Sequence, residues 1–129
     1  MKATLDRDWA VQETARRDRE RLQGSWRFVA GGREARLLVE GDQYTMRFRN
    51  GDVYSGTVEL DPMHRPRSMD LRIDDGPEAF RGLTALAIYY FDGDHLIWSP
   101  APPGSPARPR AFPAGEDHER LCIVFHREK

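Results

Sequence analysis

Gly31-Gly32, Gly41-Asp42 and Asn50-Gly51 fall at near-even spacing between short segments rich in aromatic and aliphatic residues. Such pairs adopt the left-handed backbone that two-residue hairpin loops require, and Asn-Gly is the strongest signal of the kind. Three hairpins in succession commit the chain to antiparallel pairing, because parallel neighbours need long crossovers. The strands so delimited are Trp26–Ala30, Ala35–Glu40, Gln43–Arg49 and Val53–Leu60, the last ending at Asp61-Pro62.

The same reading continues downstream. Met69, Leu71 and Ile73 alternate with Asp70, Arg72 and Asp74, the period of two expected of a strand with one wet face. Leu83–Phe91 is almost uncharged, which predicts a strand buried on both faces, and it turns at Asp92-Gly93 into Asp94–Ser99. Leu121–Arg127 completes a set of eight. Eight short strands at hairpin spacing predict an all-β, up-and-down antiparallel barrel, in which closure removes the exposed edges. A barrel of this size has room for side chains or one small ligand.

At 129 residues the chain suits one core rather than two. Leu5–Leu22 holds no Gly or Pro and favours a helix, with a sparse apolar stripe of Leu5, Trp9 and Leu22. Residues 1–22 therefore read as a loosely packed helical lid or arm, able to contact a protein partner, and 23–129 as the barrel. The 20 basic and 21 acidic residues nearly cancel, so nothing in the overall charge attracts nucleic acid or an anionic membrane. Arg16, Arg17, Arg19 and Arg21 alternate with Asp18 and Glu20, as a solvated helix face does, and Arg65, Arg67, Arg108 and Arg110 sit in Pro-rich loops. The charged start and the lack of a long apolar run predict a cytoplasmic protein without a membrane span.

Cys122 is the only cysteine, so no internal disulfide and no cysteine pair for a metal can form, and its apolar surroundings predict an inert thiol. His64, His95, His118 and His126 lack metal-ligand spacing, which implies no metal and no cofactor. For acid–base chemistry the best cluster is Asp92, Asp94 and His95 at one hairpin tip, with Glu59 on a strand; turn chemistry and solvation account for both. Pro100–His118 carries prolines at 100, 102, 103, 106, 109 and 113, which predicts a semi-rigid segment over one barrel mouth.

Leu22-Gln23-Gly24-Ser25-Trp26, Gly41-Asp42-Gln43-Tyr44 and Leu60-Asp61-Pro62, with Pro66 and Met69-Asp70-Leu71, occur in an order that resembles a bacterial lipocalin-like domain family abundant in planctomycetes. Ala87–Leu96, Ala101-Pro102-Pro103-Gly104, Arg108-Pro109 and Phe112 extend the resemblance over about Asp18 to Arg127. It implies a calycin-type barrel and little chemistry, since the family has no established common activity. The chain departs from the pattern at Ala87, where a Gly is usual, and at Trp98 or Ser99, where a Cys is common; a site built on that Cys would be absent. In such barrels the Gly-x-Trp indole plugs one end and a C-terminal arginine packs across it, a structural role that falls here on Trp26 and Arg127.

Alternation nominates Tyr44, Met46, Phe48, Tyr54 and Val58 as inward residues, with Leu86, Ile88, Tyr90, Ile97 or Trp98, Ile123 and Phe125. Of these, Tyr44, Met46, Phe48, Tyr54, Ile88, Tyr90, Trp98 and Phe125 form the expected binding site. The expected function is binding of a small hydrophobic or aromatic molecule. Two alternatives are a cofactor-free, cyclase-like enzyme using the same cavity and a protein-interaction module with a solid barrel.

Overall fold

The computed structural model describes residues 2–30, 33–113 and 122–128. Helix α1 (Lys2–Leu22) precedes eight strands: β1 (Gly24–Ala30), β2 (Arg33–Glu40), β3 (Gln43–Phe48), β4 (Val53–Asp61), β5 (Ser68–Asp75), β6 (Thr84–Asp92), β7 (His95–Pro100) and β8 (Ile123–Arg127). A short 3₁₀ turn, Glu78–Phe80, lies between β5 and β6. The strands pair antiparallel in sequence order, and β8 returns to β1 through Trp26↔Arg127 and Arg27↔His126. The result is the closed up-and-down barrel that the hairpin spacing predicts. Gly51 has φ 98°, a conformation open to glycine at little cost, and this sets the β3–β4 turn. The expected Gly31-Gly32 turn and His118 lie outside the described residues.

Up-and-down order puts the turns at alternating ends. The end of α1, the β2–β3 and β6–β7 turns and the β4–β5 loop share one end; the β3–β4 turn, the 3₁₀ turn and the connection after β7 share the other. The first end is closed. Trp26 is fully buried and its indole N–H donates to the Leu22 carbonyl at 2.8 Å. The Arg127 guanidinium lies 4.1 Å from the centre of the Trp26 ring and donates to the carbonyls of Gln23 and Arg21. A cation over a partly desolvated indole contributes on the order of 1–2 kcal/mol.

Charge in α1 is not all solvated. Asp18 is only 6% exposed; it accepts a 2.6 Å hydrogen bond from the Tyr89 hydroxyl and two at 3.0 Å from Arg67. Together with Leu22, fully buried, these contacts make the last turns of α1 a firmly held cap on the barrel, where the sequence predicts a weakly packed lid or arm. The helix's sparse stripe misleads because the cap is held chiefly by one buried carboxylate. Farther along the helix Trp9 is 66% exposed.

The interior is filled at this end by Trp26, Leu37, Val39, Met69, Tyr89, Leu96 and Phe125, all buried. Removing side chains of this size from water stabilises by roughly 1.5–3 kcal/mol each. Strand β6 corrects the predicted alternation: Ala85, Ala87 and Tyr89 belong to the core, whereas Tyr90 is 43% exposed. Ile88 shares the outer face with Tyr90, as does Leu86, yet Ile88 is fully buried between its register partners Ser68 and Ser99. An uncharged strand offers no polar residues to mark its phase, and a shift of one residue exchanges the faces.

Candidate functional site

The open end holds a cavity of about 850 Å³. Its barrel wall comprises Tyr44, Met46 and Phe48 of β3, Tyr54 of β4, Leu71 and Ile73 of β5, Ala85 of β6 and Trp98 of β7, with Phe80 at the rim. From there the cavity runs beneath the connection after β7, whose residues Pro100–Pro103, Ser105 and Ala107–Ala111 complete the wall. The enclosure is predominantly apolar with a few polar groups, the usual make-up of a small-molecule pocket.

Alternation places the strand residues. Tyr44, Met46 and Phe48 project inward as i, i+2 and i+4, and Tyr54 opposes Met46 across the β3–β4 ladder. Phe48 and Tyr54 meet edge to face at 5.5 Å, and Phe80 approaches Tyr54 at 6.3 Å, so three rings form one side of the mouth. Between Ser55 and Gly56 the β4–β5 register shifts. The Arg72 carbonyl there accepts a 3.0 Å hydrogen bond from the Tyr44 hydroxyl. Burial, and then the charge of Asp74, raise the Tyr44 phenol well above its ordinary pKa; burial and then Asp52 raise that of Tyr54. Both phenols are therefore protonated at neutral pH and serve as hydrogen-bond groups rather than bases.

Two polar groups of the barrel wall have no hydrogen-bond partner among the described residues. One is the Tyr54 hydroxyl. The other is the Trp98 indole N–H, in a side chain only 6% exposed. A buried donor without an acceptor costs about 1–3 kcal/mol, so an unmatched group at a cavity wall is informative.

The connection after β7 is held against the barrel. Ala101 N–H donates to the Leu86 carbonyl at 2.8 Å and Gly104 N–H to the Thr84 carbonyl at 3.0 Å. Arg108 donates to the Ala87 carbonyl at 2.9 Å and pairs with the Asp70 carboxylate at 2.5 Å. Phe112 meets the outward Tyr90 ring edge to face at 4.8 Å. The segment thus rims the mouth, as its prolines predict, and also straps down over the outer face of β5 and β6. That strap is what a reading of solvated loop arginines misses.

Of the eight residues expected to form the site, the structure gathers Tyr44, Met46, Phe48, Tyr54 and Trp98 around the cavity. Phe125 points inward but is fully buried against Trp98, at 6.1 Å between rings, away from the cavity wall. Ile88 and Tyr90 lie on the outer face of β6. Leu71 and Ile73 were legible as inward residues from their alternation with charged neighbours. Ala85 and the strap residues carry no sequence signal of their own for the cavity.

The remaining chemistry lies elsewhere. Asp92 and Asp94 are exposed at the β6–β7 turn, on the closed end, and Glu59 is exposed on β4. His95 and His126 oppose each other across β7 and β8, ring centres 4.3 Å apart on the outer surface. His64 contacts the Pro66 carbonyl at 2.6 Å. Among the described residues no three His, Cys, Asp or Glu side chains converge as a metal site would need, and no helix is long and apolar enough to cross a membrane. No protein-family model matches the chain, and neither a curated protein nor a solved structure matches it.

Proposed function

We propose that the protein is a lipocalin-like binder of a small apolar or aromatic molecule, held in the cavity at the open end of the barrel. The observation that carries this reading is the asymmetry of the two ends. One is filled by Trp26, Arg127 and the last turns of α1, while the other leaves about 850 Å³ walled by aromatic and aliphatic side chains. That volume is in the range of small-molecule sites and far exceeds the voids of a packed core. The same asymmetry disfavours a solid barrel acting only through its surface. A catalytic use of the cavity has less support, because its wall among the described residues contains no Asp, Glu, His or Cys, and its two phenols are poor bases.

The test is a titration with N-phenyl-1-naphthylamine, a neutral apolar fluorophore that brightens out of water. Saturable one-to-one binding is expected. Ala85→Trp, which puts bulk into the cavity wall, should abolish it while circular dichroism and melting temperature confirm a folded barrel. Equal binding by the folded Ala85→Trp variant would place the fluorophore elsewhere and sink the proposal.

A further inference from the structure

We infer that the natural occupant carries an acceptor-rich, anionic group, most simply a carboxylate, on its apolar body, and that Arg110 receives that group at the mouth. The inference rests on the binding reading and narrows it.

Its basis is the balance of polar side chains around the cavity. Three are already spoken for: Tyr44 donates to the Arg72 carbonyl, Ser105 donates to the Ala107 carbonyl, and Arg108 pairs with Asp70 outside the cavity while donating to the Ala87 carbonyl. Three are unmatched among the described residues: the Tyr54 hydroxyl, the Trp98 indole N–H and the Arg110 guanidinium. Each of the three can donate a hydrogen bond, and one is a permanent cation. Among the described residues no carboxylate lines the cavity to balance Arg110 or to welcome an amine. An apolar wall whose spare side-chain groups are donors complements an apolar molecule ending in an anion. Arg110 is exposed and belongs to the strap held down by Arg108 and Phe112, so the anion sits at the mouth and the apolar body points inward.

The experiment displaces bound N-phenyl-1-naphthylamine with decanoate, decan-1-ol and decylamine at pH 7.5 and low salt, in wild type, Arg110→Gln and Tyr54→Phe. Decanoate should displace at least as well as decanol despite its stronger hydration, and clearly better than decylamine. Arg110→Gln should weaken decanoate about fivefold, the scale of a solvent-facing ion pair, and leave decanol within about twofold. The loss should shrink as salt screens the charge. Tyr54→Phe should weaken decanoate and decanol alike, since either can hydrogen-bond a phenol. Preference for decylamine, or an Arg110→Gln change that is equal for acid and alcohol, would overturn the anionic occupant while leaving cavity binding intact. If wild type shows no saturable fluorophore binding, the cavity reading and this one fall together.

Discussion

At the scale of single residues, Asp18 has the largest gap between appearance and role. In the sequence it is one charge in a run of alternating charges; in the fold it joins α1 to Tyr89 of β6 and Arg67 of the β4–β5 loop. Replacing Asp18 by Ala strands a buried hydroxyl and frees Arg67, which is partly solvated, so a loss of about 2–3 kcal/mol is expected in denaturant unfolding. Tyr89→Phe should cost about 1–2 kcal/mol at pH 7. The Tyr89 phenol is raised above its ordinary value, first by burial and then by its bond to Asp18. The folded chain therefore holds this proton more tightly than the unfolded one. Its contribution is complete below about pH 10 and is lost as pH climbs through and beyond that value. Melting temperatures from pH 7 to 11 should accordingly fall less steeply in Tyr89→Phe than in wild type. Parallel slopes would mean that Tyr89 titrates as it does in the unfolded chain.

At the scale of elements, legibility followed the contrast between faces. Strand β5 alternates Leu and Ile with Asp and Arg, and its inward set could be read directly. Strand β6 reads Thr-Ala-Leu-Ala-Ile-Tyr-Tyr-Phe-Asp, with no such contrast, and only its ladder with β5 and β7 selects Tyr89 over Tyr90. The five site residues that were legible come from β3, β4 and β7, whereas the strap's arginines depend on partners far away in sequence. Gly56 in β4 shows a constraint no propensity scale contains: a Cβ there would lie 1.9 Å from the Arg72 carbonyl oxygen. Backbone cannot yield by that distance without breaking the β4–β5 pairing beside Tyr44. Gly56→Ala should thus lower the melting temperature by several degrees or prevent folding, as core overpacking of about 1–3 kcal/mol or more does. A variant as stable as wild type would mean that the strands can part here.

At the scale of the whole molecule, the two-ended design was open to sequence reasoning only in part. The hairpins fixed the strand count and order, and alternation supplied much of the cavity wall; how far each end is filled depends on α1 and the strap, whose long-range contacts leave no periodic mark. Closure also leaves one joint different from the rest. Among the described residues β7 and β8 share four register pairs, but β8 meets β1 at two, both beside the plugged end. Toward the mouth Val29 of β1 is 59% exposed and Val124 of β8 is 38% exposed. Amide protons of Val29 and Val124, which face this joint beyond its two register pairs, should consequently exchange with deuterium sooner than those of Leu37 or Leu71, which lie within longer ladders. An apolar occupant spanning the interior would slow them. Such an exchange pattern would make the barrel a sleeve fastened at the cuff, whose seam a guest larger than the mouth would part at two strands instead of unfolding eight.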